Sequence, residues 1–340
     1  MSTTTLTEKP GRPRKPGKPG KPGKPSELDP GRRLLRGLPW LVVRQHRIAL
    51  ACVLGLTALT ALWILYERHE LVQLLDAKGW PEKDPGRPMD DDRGYEYITS
   101  IVNGLPLILA VFVGAPLIAG DQESGTAQLV TTQSVTRRQW LIAKLGLAYT
   151  LALVSGLVVS ALFTWWWKPH RSLFLSEWID GVIFDNTGPV LPAFLLFLTA
   201  AGITIGALAR RVLPAMVGAF LFTAVTTLFV WDEVRVRLGS PEMFTSPMGT
   251  ELPARFHDVY EVDRWVGSAD GTLYNWGRCA EATEKATDAC IKEHGIVNDV
   301  IEYIGYNQMA GMQWLAAGIL LAGTALLTAF TLWWTSRRPL

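Results

Sequence analysis

Six stretches of this 340-residue chain lack charge altogether: residues 48–66, 101–119, 145–167, 189–208, 212–231 and 311–335 contain no Asp, Glu, Lys or Arg. A helix rises about 1.5 Å per residue, so stretches of roughly 19–25 residues each reach across a hydrocarbon core of about 30 Å. A soluble core does not exclude charge six times over, and the pattern predicts six membrane-spanning helices in an all-α, polytopic protein. The same stretches hold no histidine. Proton-coupled carriers need ionisable groups at membrane depth, so this absence argues against proton-driven chemistry. It leaves open sodium coupling through carbonyls or hydroxyls.

Other absences narrow the field. No G-x-x-x-x-G-K-[ST] phosphate loop occurs, and the Gly-Lys pairs near the start are followed by proline. No G-x-S-x-G nucleophile elbow occurs. His46, His69, His170, His257 and His294 form no pair at metal-ligand spacing and read as surface residues. Asp90, Asp91 and Asp92 resemble a divalent-metal motif, but no second acidic motif accompanies them, and a solvated acidic loop is the simpler reading. The chain reads as a non-enzyme with no catalytic, cofactor or metal residues of its own.

Cysteine is scarce, with three in all. Cys52 falls in the first apolar stretch. Cys279 and Cys290 share the long last connection, where a disulfide requires an oxidising side. The intervening Ala280 to Ala289 reads as helix-forming, and a straight helix would hold the two Cα atoms roughly 16 Å apart. Either the helix is broken and the bond forms, or the thiols are free.

What charge there is segregates. With the N-terminus on the cytoplasmic side, the inside segments (1–47, 120–144, 209–211, 336–340) carry a net +14 and the outside segments (67–100, 168–188, 232–310) a net −12. Lys and Arg beside span ends favour the cytoplasm, so both termini are expected inside, in a bacterial plasma membrane. Trp165, Trp166 and Trp167 end the third stretch, and Trp333 and Trp334 end the sixth, as headgroup-level anchors or as ordinary packing. Residues 1–30, with Gly-Lys-Pro at 17–19, 20–22 and 23–25, form a basic tail expected to be disordered. The tail either attracts anionic lipid or merely reinforces topology. Residues 31–47 suit an interfacial helix. Outside connections are expected at 67–100 and 232–310, the latter with no clear all-β pattern. Its end, Ile296 to Met309, is helix-compatible. Pro106, Pro116, Pro192 and Pro214 kink or terminate spans.

The 120–144 connection is longer than a helix turn needs. It runs Gly120-Asp121-Gln122-Glu123-Ser124-Gly125-Thr126, then Gln133-Ser134-Val135-Thr136-Arg137-Arg138-Gln139-Trp140, then Lys144. Ala127, Leu129 and Val130 give it an apolar face suited to a short surface helix that presses into a partner.

Here the sequence resembles the coupling region of type-2 ATP-binding-cassette exporter permeases. Glu123, Gly125-Thr126, Ser134-Val135-Thr136-Arg137 and Lys144 follow the family order. Gly114-Ala115-Pro116, Gly206-Ala207, Arg210-Arg211 and Pro214-Ala215-Met216 are similar to an actinobacterial group within it. The resemblance implies a six-helix permease that exports a hydrophobic or amphipathic compound (drug, lipid or peptide). It also implies a dimer with a second copy or a related permease, and a separate ATPase that carries ATP and Mg. Asp121, Glu123, Gly125, Thr126, Ser134, Arg137, Arg138 and Lys144 would then form the ATPase-coupling segment, with Glu123 and Arg137 or Arg138 helping to seat the partner. Membrane lipid is the other expected partner, and nucleic acid is not one. The alternatives are a non-transporting component for signalling or toxic-peptide resistance, and a membrane enzyme with an outside-facing acidic site.

Overall fold

The computed structural model describes residues 38–83, 93–125, 136–174, 176–256 and 258–337. The basic tail, the Asp90–Asp92 run, and Thr126, Ser134 and the apolar face between them lie outside the described residues, as do residues 31–37 of the expected interfacial helix.

Six helices are long and apolar enough to span a membrane. A short helix α1 (Leu38–Gln45) precedes the first of them, α2 (Arg47–Lys78). The second, α3 (Arg93–Glu123), is followed by α4 (Arg137–Trp167), which tightens into a 3-10 turn at Lys168–Leu173. After the one-turn α5 (Gly181–Phe184) come α6 (Val190–Ala209) and α7 (Val212–Val236). The last span, α9 (Met309–Arg337), follows a folded insert that contains α8 (Glu284–Glu293). Each charge-free stretch lies within one of these helices apart from a residue at its edge, and several helices run two or more turns beyond it, because charged residues continue a helix past the apolar segment.

α6 is the axis of the bundle. It is enclosed on nearly all sides, by α3, α4, α7 and α9. Small residues permit this. A Cβ placed on Gly202 would lie 2.3 Å from the Ala110 carbonyl oxygen, and one on Gly206 would lie 2.3 Å from that of Ala115. On the facing helix, Gly114 meets the Thr199 carbonyl in the same way, at 2.8 Å. This is the small-residue packing by which helices approach closely in lipid. The prolines act locally. Pro192 and Pro214 occupy the first turns of α6 and α7, where the missing N–H costs nothing. In α3, Pro116 cannot donate to the Phe112 carbonyl. The helix widens there into a π turn, Leu109–Gly114, with the Ala115 amide bonding to the Ala110 carbonyl.

The insert between α7 and α9 corrects the all-α expectation. It holds a four-stranded antiparallel sheet of β1 (Glu242–Pro247), β2 (Val259–Ser268), β3 (Leu273–Asn275) and β4 (Ile296–Gly305), in spatial order β1-β4-β2-β3. Phe244 pairs with Ile301 and Trp265 with Val300. Ile296 to Gly305, expected to be helical, is a central strand. Its β-branched Ile296, Val297, Val300, Ile301 and Ile304 favour a pleated surface once neighbours exist on both edges. Cys279 and Cys290 are bonded, with Cα atoms 5.6 Å apart. The helix starts only at Glu284, behind an N-cap at Thr283, so Cys279 lies before it and folds back against it.

The Trp cluster divides. Trp166 and Trp167 are buried among Phe163, Phe174 and Tyr306, whereas Trp165 is exposed. His170, expected at the surface, is buried, with Nδ1 2.8 Å from the Trp166 carbonyl oxygen.

Candidate functional site at the helix ends

Opposite the sheet, the ends of four helices are tied together around the 124–136 connection. Lys144, about two turns into α4, is 0% exposed. Its Nζ donates to the Asp121 carboxylate at 2.5 Å and to the Leu117 carbonyl at 2.9 Å, both on α3. The Trp140 ring covers it at 4.9 Å. Gln45, at the end of α1, donates from Nε2 to the other Asp121 oxygen at 2.6 Å. An ion pair shut away from water is sustained only when its remaining donors and acceptors are met, and here a carbonyl, an amide and an aromatic face meet them.

His46 is the elbow between α1 and α2. Burial, then the Lys144 charge, holds its imidazole below the usual range, with Asp121 pulling weakly the other way. Its Nε2 is buried without a hydrogen-bond partner.

Glu123 makes a second tie. Its Oε2 accepts from the Val212 backbone amide at 2.7 Å, capping the first turn of α7. A carboxylate at a helix N-terminus meets both an orphan N–H and the positive end of the dipole. Arg210, in the left-handed region at φ 58°, closes the two-residue turn that brings α7 to this position.

The far side of the connection is equally defined. Thr136 caps α4 by accepting from the Gln139 amide at 3.3 Å, and the Gln139 Oε1 accepts from the Thr136 amide at 3.2 Å, a closed capping box. Gly125 takes φ +70°, which favours glycine where the chain leaves α3. Arg137 and Arg138 are exposed and border a cleft of about 280 Å³ with Trp333 and Ser336 of α9.

Of the segment expected to couple to a partner, Asp121 and Lys144 therefore face inward, and Glu123 is exposed while capping α7. Arg137 and Arg138 face outward, and Gly125 takes the left-handed conformation at the end of α3. Sequence reasoning missed Gln45, His46 and Trp140. Only the polar Gln-His pair after an apolar helix pointed to the first two, and Trp140 at i−4 from Lys144 to the third. Among the described residues no group of three or more His, Cys, Asp or Glu is gathered to hold a metal.

Six apolar helices long enough to span, with four helix ends tied together at one side, define a multi-pass membrane protein. The chain belongs to the family described as ABC-2 membrane transporter related, whose pattern it matches over residues 54–235, from α2 through nearly all of α7. That membership marks it as a transporter permease component. No curated protein and no solved structure matches the chain.

Proposed function

We propose that the chain is the permease subunit of an ATP-driven exporter, energised by a separate ATPase that docks on the 124–136 connection. The observation that carries this reading is the double tie at that connection: Asp121 to Lys144 and Gln45, and Glu123 to α7. A push on the connection is delivered at once to α1, α3, α4 and α7. A connection that only joined two helices would need no such bracing. Arg137 and Arg138 remain on the surface as charges that a partner can read.

Two independent arguments support an orientation with both termini inside. Basic residues concentrate at the tied end. The Cys279–Cys290 disulfide favours an oxidising side, which supports a sheet outside the cell and both termini inside. The cargo is a hydrophobic or amphipathic compound taken from the bilayer, and two permease copies complete the pathway.

Purification of the full-length protein in mild detergent, with mass spectrometry of what accompanies it, tests the proposal. A stoichiometric ATPase is expected, and it should be lost when residues 127–135 are replaced by a Gly/Ser linker. If no ATPase is recovered under conditions that preserve other exporters, the reading fails.

A further inference from the structure

A cavity of about 670 Å³ lies at the sheet end, on the membrane side of α4 and away from the tied helix ends. Its wall is Leu157, Ala161 and Trp165, one helical face, and Trp165 is 46% exposed toward the surroundings. The hydroxyls beside it are already engaged: Ser160 Oγ donates to the Gly188 carbonyl at 2.6 Å, and Thr164 Oγ1 accepts from the Gly188 amide at 3.2 Å. What remains is an apolar surface of the size that takes a small ligand or an alkyl chain.

A second cleft of about 300 Å³ adjoins it across Thr164, Lys168 and Gly188, and this one is rich in donors. Lys168 is exposed at its edge. The Trp167 indole lines it, only 3% exposed, and the Trp167 Nε1 is buried with no hydrogen-bond partner. Asn307 adds an amide. Arg171 is already held by Asp258 at 2.7 Å and by the Tyr306 ring at 4.1 Å. Among the described residues no carboxylate lines either cleft.

An exposed ammonium with a neighbouring amide, Lys168 and Asn307, and no carboxylate in the lining calls for an acceptor oxygen carrying negative charge. We propose that the joined clefts bind a single-chain amphiphile with an anionic oxygen headgroup. The chain lies along Leu157, Ala161 and Trp165, and the headgroup meets Lys168 and the Asn307 amide. Calling this amphiphile the cargo rests on the exporter reading; the binding site itself does not.

The test uses the full-length protein in phosphatidylcholine nanodiscs, without ATPase or ATP, and measures equilibrium binding of radiolabelled stearate and of stearyl alcohol. Stearate should bind about tenfold tighter, because only it presents a charged acceptor. Lys168→Gln, at an exposed position that leaves the fold intact, should remove most of that preference. Ala161→Trp should weaken both probes by filling the apolar cleft. Equal affinities for the two probes, or a tenfold preference that survives Lys168→Gln, would overturn the proposal. So would loss of stearate binding when phosphatidylglycerol replaces part of the phosphatidylcholine, since a resident two-chain lipid would then own the site. Because no ATPase enters the assay, failure of the exporter reading leaves its outcome untouched.

Discussion

Lys144 shows what a single residue contributes at the tied end. Removing the ammonium as Lys144→Met would leave the Asp121 carboxylate buried without its cation, beside Gln45. Breaking a buried pair in this way typically costs about 3–5 kcal/mol. The midpoint of thermal unfolding in detergent should fall for Lys144→Met and recover in large part for Asp121→Asn with Lys144→Met, the non-additivity being read by a double-mutant cycle. Additive losses would show that the two side chains are not coupled. Asp185 offers a pH test at the sheet end. It accepts from Trp231 Nε1 at 2.7 Å and Arg235 at 2.9 Å, yet burial outweighs these and raises its carboxyl to about 6. A carboxyl raised in the folded state binds its proton before the unfolded chain does. Its contribution to stability therefore grows as pH falls from about 6 toward the ordinary carboxylate range, and is lost again as pH rises through 6. Against that background, Asp185→Asn should flatten the change in unfolding temperature between pH 7 and pH 5; an unchanged pH profile would remove Asp185 as its source. The tie was half legible in the sequence. Glu123 and Lys144 were marked by the order of motifs, but Gln45 joins Asp121 from 76 positions away, and no local pattern announces that pairing.

Among elements, the α3–α6 contact is the most exacting. Backbone carbonyls occupy the places where side chains at Gly202 and Gly206 would begin, so the two helices have no soft group to yield. Gly206→Ala should destabilise by about 1–3 kcal/mol, the usual range for overpacking, and Gly202→Leu should prevent accumulation of folded protein. Fluorescence-detected size-exclusion chromatography after heating would check both, with Gly104→Ala, which meets nothing within 4 Å, as the control. The spans themselves were plain in the sequence because lipid punishes charge so heavily that its exclusion marks each helix. The sheet was hidden for a physical reason. β2 carries a register shift between Glu261 and Asp263, which breaks the two-residue alternation by which a strand is recognised. β4 carries apolar residues on both faces (Ile296, Val300 and Ile304 on one, Val297, Ile301 and Tyr303 on the other), so periodicity alone does not separate it from a helix.

For the whole molecule, two readouts bear on the proposed orientation. A reporter fused after Leu340 should register as cytoplasmic. Cys279 and Cys290 should resist a membrane-impermeant maleimide until a reductant is added, then react in intact cells. A cytoplasmic position for the sheet would put the disulfide on the reducing side and the 124–136 connection where no ATPase can reach it. The bundle also has an order in which it can be completed. α6 and α7 are joined by only Arg210 and Arg211, whereas α9, which rests on α6 through Phe197 against Gly323 and a Thr204–Thr331 hydroxyl pair at 2.9 Å, comes after the entire sheet-bearing insert. With the sheet outside, as proposed, the α6–α7 hairpin would insert first, and the face of α6 that meets α9 would wait for it until residues 237–305 had crossed. Biogenesis would then depend on translocation of the sheet, and a chain stalled there would present the insertion machinery with five inserted helices and one unsealed groove.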